Sequence, residues 1–272
     1  MISQQGLDRG APMDRRRMIG LGVSAGVASA LPAGVAAQAA SADPQLFDRL
    51  LARHVRAGRD GINRVDYRAW RASAVDRAGL AAYVEALQAL GSKGRSRSEQ
   101  IAYWSNLYNA ETLRVVLDAY PVKSIRAIRP TLVSVGPWKA KTLQVDGRRL
   151  SLHEVEHEIL RPMGDPMIHY ALNCASISCP NLPLRAWRGA TLAADLDQAA
   201  RAYVNHPRAA QVTAKGLILS SIYKWYAEDF GADEAAVLNH LDRYAAPPLR
   251  AVLGRRPAIA GYAYDWDLNR VA

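Results

Sequence analysis

The chain lacks several features that would assign it to a familiar class of protein. It contains only two cysteines, Cys174 and Cys179, in 272 residues. No internal repeat divides it, no linker is long enough to separate two domains, and nothing after residue 39 is apolar enough to cross a bilayer. It also carries no motif for binding nucleic acid or a cofactor. These absences predict one folded domain with no cofactor, no nucleic-acid partner and no transmembrane segment in the mature chain.

Positive charge is in surplus, with a formal net charge of +10 at pH 7. Such a surplus favours anionic partners, because long-range attraction raises their local concentration. The candidate partner is therefore an anionic polymer of the cell envelope, or a peptide. The alternative is an arginine-rich protein whose charge serves no specific partner. The sequence does not indicate an oligomeric state.

The N-terminal residues have the pattern of a bacterial export signal. Residues 14–19, DRRRMI, form a twin-arginine pattern. An apolar run of small residues follows, and A-x-A-like cleavage sites end at Ala37 and Ala39. The run is rich in glycine, so it is a poor membrane-spanning helix and favours a cleaved signal over an anchor. We expect residues 1–39 to direct twin-arginine export, residues 40–272 to form the folded domain, and the mature protein to be periplasmic.

Hydrophobic periodicity predicts a mixture of helices and short strands. Helices are predicted over residues 43–57, 80–90, 99–120, 152–160, 191–204 and 233–244, and hairpins over residues 141–150 and 211–220. Further strands are predicted over residues 132–135, 167–173 and 262–268. Ser98 is the predicted cap of the longest helix. The mixture predicts a single α+β domain in which helices pack around a small, mainly antiparallel sheet.

The stretch HYALNCASISCPNL, residues 169–182, holds both cysteines and is the strongest candidate for a functional site. The residues before Cys174 predict a buried strand and those after it a loop, and reactive side chains often lie where a rigid element meets a loop. If this segment were extended, the two cysteine Cα atoms would be roughly 16 Å apart, whereas a disulfide needs about 4.4–6.8 Å. A disulfide therefore requires the loop to turn back.

Five segments together resemble the uncharacterised family called domain of unknown function 547. They are HYALNCASISCPNL, YWSNLYNA, LHEVEHEILRP, YKWYAEDF and YDWDLN, and the resemblance runs from about Leu46 to Asn269. It implies that the family's hallmark positions are matched by Trp104, Asn106, Tyr108, Asn109, Glu156, Arg161, His169, Cys174, Ser176, Cys179, Pro180, Trp225, Tyr226 and Asp229. It also implies a distant similarity to papain-like or transglutaminase-like cysteine enzymes, although a shared fold does not establish an activity.

The first functional hypothesis is a cysteine-dependent hydrolase or transferase that acts on an amide, peptide or acyl bond. A thiol becomes a good nucleophile when an imidazole or a helix N-terminus lowers its pKa. The candidate catalytic residues are Cys174, His169, His157, Glu156 and Asn106. The candidate substrate-binding residues are Asn109, Asn173, Ser176, Cys179, Trp225 and Tyr226. On a strand, His169 would point away from Cys174, which makes His157 the rival base.

Asn106 and Asn109 need a reason to lie inside a strong helix. Asparagine is a weak helix former, because its side chain competes for backbone hydrogen bonds. We expect these two side chains to bond a buried loop, and the loop that carries the cysteines is the candidate.

Two other hypotheses stay open. The second is a non-catalytic envelope binding or scaffold module with a structural Cys174–Cys179 disulfide, because cysteine is often buried without any reactive role. The third is a zinc site at His153 and His157, which are four residues apart in HEVEH, with Glu154 in the position of the base of a zinc protease. A structural zinc needs four ligands, and the sequence offers no second pair at ligand spacing.

Overall fold

The fold is described from a computed structural model over residues 43–131 and 133–272. The predicted export signal, residues 1–39, lies outside the described residues, as does Leu132 of the predicted strand 132–135. Over the described ranges, every helix is too short or too polar to span a bilayer.

Helices and short strands alternate along the chain. The helices are α1 (Pro44–His54), α2 (Tyr67–Ala72), α3 (Ala74–Leu90), α4 (Arg97–Ala119), α5 (Leu152–Glu154), α6 (Ile168–Ala171), α7 (Leu192–Val204), α8 (Ile222–Trp225), α9 (Glu234–Tyr244) and α10 (Pro247–Leu253). The strands are β1 (Val55–Ala57), β2 (Asn63–Val65), β3 (Lys141–Val145), β4 (Arg148–Ser151), β5 (Ala210–Thr213), β6 (Gly216–Ser220) and β7 (Ile259–Ala263). The pairs β1–β2, β3–β4 and β5–β6 are antiparallel, and β6 pairs in parallel with β7. The predicted α+β fold and both predicted hairpins are confirmed.

The longest helix, α4, is buried in the larger hydrophobic core. All side chains from Ile101 to Leu113 are buried, and α4 packs against α2, α3, α6 and α7. Its N-terminus is closed by a capping box between Ser96 and Glu99, so the observed cap lies two residues before the predicted cap, Ser98. Because a helix buried on all sides keeps water from its polar groups, those groups need partners within the protein, and among the described residues only the Ser105 and Thr112 hydroxyls of α4 lack one.

The segment before Cys174 is helical, which corrects the predicted strand over residues 167–173. One turn of helix, α6, ends at Ala171, and the chain becomes extended only at Leu172. This segment lies between two hydrophobic clusters: Leu172 packs in the larger one and Tyr170 in the smaller one. Burial on both sides makes the sequence of this segment largely apolar, and such a run does not distinguish a strand from a short buried helix.

Two other predicted strands also require correction. Residues 133–135 form a loop of turns, in which Val133 is 93% exposed, rather than a strand. The last strand, β7, spans Ile259–Ala263 instead of residues 262–268. The chain after β7 runs along the cysteine loop, which we define as residues 172–182. There the backbone oxygens of residues 265 and 267 accept hydrogen bonds from the backbone N–H groups of residues 178 and 177.

The predicted helix over residues 152–160 is confirmed, but its second half is wound more widely. It begins with the expected capping box between Ser151 and Glu154. From Val155 to Leu160 the chain forms a π-helical turn, followed by a tight 3₁₀ turn that ends at Gly164 (φ 66°). π-Helical turns are rare and occur mostly at functional sites. This one carries Glu156 and His157, which both line the cleft described next.

Candidate active site

A cleft with a volume of about 480 Å³ lies beside the cysteine loop. Much of its wall is aromatic, formed by Tyr108, Trp138, Trp225, Tyr226, Tyr264 and Trp266. Its polar lining consists chiefly of Lys139, His153, Glu156, His157, His169, Cys174 and Cys179. The cleft therefore brings together four of the five predicted catalytic residues, together with Cys179, Trp225 and Tyr226.

The sulfur of Cys174 lies among three polar groups. It is 3.0 Å from the Cys179 sulfur, 3.2 Å from the Ser176 hydroxyl and 3.3 Å from the Tyr264 hydroxyl. The Ser176 and Tyr264 hydroxyls are themselves 2.9 Å apart. Cys174 is half-buried and Cys179 is buried, and both are free thiols. Within the described residues, neither sulfur is hydrogen-bonded to a histidine.

The pKa values of the two thiols are shifted in opposite directions. The pKa of Cys174 is lowered, first by the hydrogen bond with Cys179 and then by those with Ser176 and Tyr264, while burial opposes the shift. The pKa of Cys179 is raised well above the ordinary thiol value by burial and by its contact with Cys174. Negative charge is therefore favoured on the thiol that faces the cleft, and the buried thiol keeps its proton.

A left-handed residue folds the cysteine loop back on itself. Ala175 has φ 62°, a conformation that costs a non-glycine residue about 1–2 kcal/mol. Its N–H donates to the Asn173 side chain at 2.9 Å, and its carbonyl accepts from the Asn269 N–H at 3.1 Å. The turn places the Cys179 sulfur 2.9 Å from the Cys174 backbone nitrogen. The two cysteines therefore meet, in contrast to the separation expected for an extended segment.

Asn173 holds the cysteine loop from the side away from the cleft. Its backbone N–H donates to the Asn109 side chain at 2.8 Å, and its own amide nitrogen donates to the Pro180 carbonyl at 2.7 Å. Its amide oxygen accepts from Ala175 and also from Asn269, the latter at 3.2 Å. Asn173 is only 3% exposed and does not line the cleft. The contacts of this predicted substrate-binding residue are all with the protein itself.

The two asparagines of α4 bond different segments. Asn109 also donates to the Ala171 carbonyl at 2.9 Å, so it clamps both sides of the bend that precedes Cys174. Asn106 exchanges two hydrogen bonds of 2.8 Å with the backbone of Trp187. The Trp187 indole in turn donates to the Ala171 carbonyl at 3.0 Å. Both amides are buried outside the cleft, so Asn106 does not orient a catalytic histidine.

The carboxylate of Asp229 contacts His169 directly and is connected to His157 through Arg161. His169 Nε2 lies 2.7 Å from the Asp229 carboxylate. Arg161 donates two hydrogen bonds to the same carboxylate, from Nε at 2.7 Å and from Nη2 at 3.0 Å. The Nη1 atom of Arg161 lies 3.0 Å from His157 Nδ1. Although burial opposes ionisation, the hydrogen bonds from His169 and Arg161 hold the pKa of Asp229 well below its usual range. The result is a chain of polar contacts from His169 through Asp229 and Arg161 to His157.

The protonation of His157 follows from this chain. Burial lowers the pKa of His157, although Glu156 favours the charged form. A guanidinium can only donate, so His157 Nδ1 accepts from Arg161 and the neutral ring carries its hydrogen on Nε2. His157 is therefore available as a hydrogen-bond donor rather than as a base. His169, whose Nε2 faces Asp229, has Nδ1 as its remaining nitrogen.

Glu156 and Tyr226 complete the wall beside the imidazoles. Glu156 is only 9% exposed and accepts a hydrogen bond of 3.3 Å from the Tyr108 hydroxyl. The Tyr226 ring stacks on His169, with 4.2 Å between ring centres. Burial, and then the nearby Glu156 carboxylate, raise the pKa of Tyr226. Burial also raises the pKa of Tyr108, so both tyrosines stay protonated beside the Glu156 carboxylate.

Three contacts of the site were missed by reasoning from the sequence. Tyr264 lies 90 residues from Cys174, and Asp229 lies 60 residues from His169. Arg161 bridges Asp229 to His157. Arg161 and Asp229 were among the hallmark positions of the resembled family, but no local spacing signal indicated which side chains they would contact.

The residues of the zinc hypothesis have other partners. In the part of the chain that the structure describes, no group of three or more His, Cys, Asp or Glu side chains is arranged to hold a metal. The rings of His153 and His157 lie 4.2 Å apart, measured between centres. The Glu154 carboxylate bonds Lys141 and Ser151, which lower its pKa to about 2. The Glu154 carboxylate therefore caps the helix N-terminus and is ion-paired with Lys141.

Comparison with known proteins identifies one family. Residues 92–204 match the family described as "Protein of unknown function, DUF547", which confirms the resemblance over this range. The range includes Glu156, His157, His169 and both cysteines, and it ends before Asp229 and Tyr264. The search of curated proteins and the search of solved structures each found no match.

Proposed function

On the premise that residues 92–204 belong to a DUF547 domain, we propose that the cleft is the active site of a cysteine-dependent hydrolase or acyl/amide transferase. One observation carries the proposal: the Cys174 sulfur lines an aromatic cleft and lies within hydrogen-bonding distance of three groups that can donate to a thiolate. A thiolate that is favoured by its surroundings is a strong nucleophile, and such sites are usual for catalytic cysteines.

The thiolate arises without transfer of its proton to a histidine. Cys179, Ser176 and Tyr264 stabilise the negative charge on Cys174, and the proton passes to solvent. The Cys174 thiolate then attacks the carbonyl carbon of the substrate and forms a tetrahedral intermediate. Collapse of this intermediate expels the amine or alcohol and leaves a thioester on Cys174. Attack by water or by an acceptor amine releases the acyl group and regenerates the thiolate.

The imidazoles of His157 and His169 have different roles in this mechanism. The neutral His157 donates a hydrogen bond from Nε2 to the substrate oxygen, where negative charge develops. His169, oriented by Asp229, transfers protons at Nδ1: it takes up a proton from solvent, gives that proton to the leaving group, and then accepts a proton from the attacking water. Glu156 is held by Tyr108, and its negative charge opposes ionisation of Cys174, which the hydrogen bonds to the sulfur must outweigh.

The walls of the cleft indicate the substrate class. Three tryptophans and the rings of Tyr226 and Tyr264 offer apolar surface for an aromatic or large aliphatic group. Trp225 is 47% exposed at the cleft and can bind a ligand without first losing packing. Lys139 adds positive charge to the lining. A peptide with an apolar side chain and a nearby negative charge fits this surface best.

An acyl-enzyme assay tests the proposal. Purified protein is mixed with p-nitrophenyl phenylacetate, an activated ester with an aromatic acyl group, and the intact mass is measured after acid quench. We expect one phenylacetyl adduct on Cys174 in the wild type and in Cys179→Ser, where the new hydroxyl still donates to Cys174. We expect none in Cys174→Ala. An unmodified wild-type protein, or an adduct that persists in Cys174→Ala, would instead favour the non-catalytic binding module.

The place of action forms part of the same proposal. We infer export to the periplasm from the twin-arginine pattern at residues 14–19 and the small-residue cleavage sites at Ala37 and Ala39. Changing Arg15, Arg16 and Arg17 together to lysine should retain the protein in the cytoplasm at full precursor length. Fractionation that finds the lysine variant exported as efficiently as the wild type would contradict this route.

A further inference from the structure

The two sulfurs are placed for chemistry that an acyl-transfer mechanism does not need. Their separation of 3.0 Å is about 1 Å longer than a disulfide bond. The contact is built into the backbone, because the Cys179 N–H bonds the Ser176 carbonyl and the Cys174 N–H points at the Cys179 sulfur. A small movement of the loop is enough to join the sulfurs.

The pair is also asymmetric in access. Both cysteines line the cleft, but Cys174 is half-buried, whereas Cys179 is only 5% exposed. A bulky reagent can therefore reach Cys174 first, while Cys179 is in place to attack the Cys174 sulfur. The acidities described above support the same order, since the accessible thiol is the more acidic one. An attacking thiol and a buried resolving thiol are the two parts that thiol–disulfide exchange requires.

We propose that the cleft also catalyses thiol–disulfide exchange, with Cys174 as the attacking thiol and Cys179 as the resolving thiol. The substrate class is a disulfide with apolar or aromatic groups beside the sulfurs, since such groups match the walls. This activity goes beyond the proposed acyl transfer, although both use Cys174 as the nucleophile.

Each step of the exchange balances. The Cys174 thiolate attacks one substrate sulfur, the substrate S–S bond breaks, and the first thiolate leaves and takes a proton from solvent. Cys179 then loses its proton and attacks the Cys174 sulfur, which breaks the mixed disulfide and releases the second thiolate. Two electrons and two protons pass from the two cysteines to the substrate disulfide. The protein is left with a Cys174–Cys179 disulfide, which a low-molecular-weight thiol reduces to start another cycle.

Stoichiometry with an aromatic disulfide tests the inference. The reduced, folded protein is mixed with 5,5′-dithiobis(2-nitrobenzoate), released thionitrobenzoate is counted by absorbance, and the protein mass is measured. We expect the wild type to release two equivalents of thionitrobenzoate and to retain none, and its mass to fall by about 2 Da because the Cys174–Cys179 disulfide forms. Cys179→Ser should release one equivalent and retain one on Cys174. Cys174→Ser should react at least tenfold more slowly, because Cys179 is buried.

Other outcomes separate the two activities. A wild-type protein that keeps a thionitrobenzoate adduct on Cys174 without forming the disulfide would overturn the exchange proposal and leave acyl transfer intact. Disulfide formation without any acyl adduct from the ester would remove acyl transfer alone. Thermal unfolding of both serine variants shows whether each is folded, and Cys179→Ser gives a decisive adduct count even if Cys174→Ser is unfolded.

Discussion

On one side of the cysteine loop, the oxygen and nitrogen of the Asn109 and Asn173 amides all have partners within the protein, and both residues are buried. On the other side, the Cys174 sulfur faces a cleft lined by imidazoles, hydroxyls and aromatic rings. The amide side fixes the backbone, and the cleft side keeps polar groups available for a ligand. The difference indicates that rigidity and reactivity are supplied by different residues only a few ångströms apart.

This division explains why the left-handed Ala175 is tolerated. Its conformation is unfavourable by itself, but two hydrogen bonds from the amide side hold it in place. Backbone strain of this kind is common at functional sites when the surrounding structure determines the conformation. The amide side therefore stabilises the bend, and the bend brings the two sulfurs together. Substitutions on the two sides should consequently have different kinds of effect.

The largest expected effect is on stability from the amide side. Asn173→Ala leaves the Ala175 N–H, the Pro180 carbonyl and the Asn269 amide without their partner, which should lower the free energy of unfolding by about 3–4 kcal/mol. Trp225→Ala, on the exposed part of the cleft, should lower it by less than about 1 kcal/mol. Urea denaturation measures both. Equal losses in the two variants would show that the two sides are not distinct.

The next effect concerns the acid that orients His169. Asp229→Asn removes the charge that both His169 and Arg161 bond, which should lower the free energy of unfolding by about 2 kcal/mol at pH 7. Because the pKa of Asp229 is depressed in the folded protein, its contribution is present above the unfolded value of about 4 and is lost as the pH falls below it. The difference between wild type and variant should therefore shrink in acid.

Asp197→Asn is the matched control for that experiment. Asp197 pairs with Arg201 on the surface of α7 and is about half exposed. Its loss should change stability by less than about 0.5 kcal/mol at any pH. Unfolding curves at pH 7 and pH 3 would contradict the assignment if Asp197→Asn and Asp229→Asn behaved alike.

A smaller effect sharpens the description of the cleft side. Tyr264→Phe removes the hydroxyl that contacts the Cys174 sulfur. The loss of one hydrogen bond of about 1 kcal/mol should raise the pH midpoint for alkylation of Cys174 by about 0.7 pH unit. Tyr262→Phe, two residues away on β7, should leave the midpoint unchanged. Site-resolved mass spectrometry of iodoacetamide adducts gives both midpoints. A shift in Tyr262→Phe, or none in Tyr264→Phe, would argue against the assigned contact.

The smallest expected effect concerns Glu154, which the zinc hypothesis places in the position of the base. Glu154→Ala should cost about 0.5–1 kcal/mol of stability through the lost capping box. Glu99→Ala, in the capping box of α4, should cost a similar amount. Neither change should alter Cys174 alkylation. A selective loss of the acyl-enzyme in Glu154→Ala would assign Glu154 a role in the cleft instead.

Much of the fold could be predicted because its signals are local. The C-terminus of α4 follows from Pro121, the N-terminus of the 152–160 helix follows from its capping box, and both hairpins follow from turn dipeptides between alternating strands. The prediction was wrong for the N-terminus of α4, which Ser96 caps instead of Ser98. The prediction was wrong for residues 167–173, where two hydrophobic clusters bury both sides of a short helix. There the composition records burial and not the backbone conformation.

The site could be predicted only in part, for a related reason. Cys174, His169, His157 and Glu156 were identified by their residue types, and the structure places all of them at one cleft. Their partners Tyr264 and Asp229 come from distant segments, so no spacing rule relates them to Cys174 and His169. The proximity of the two sulfurs depends on Ala175 at positive φ, a conformation that alanine rarely adopts.

The central claim is that the surroundings of Cys174 stabilise its thiolate. The most direct test is the rate of iodoacetamide alkylation of Cys174 in the reduced wild-type protein, measured from pH 5 to pH 10 and resolved from Cys179 by fragment masses. We expect a midpoint below that of an ordinary thiol, about 8.5. A midpoint at or above that value would contradict it.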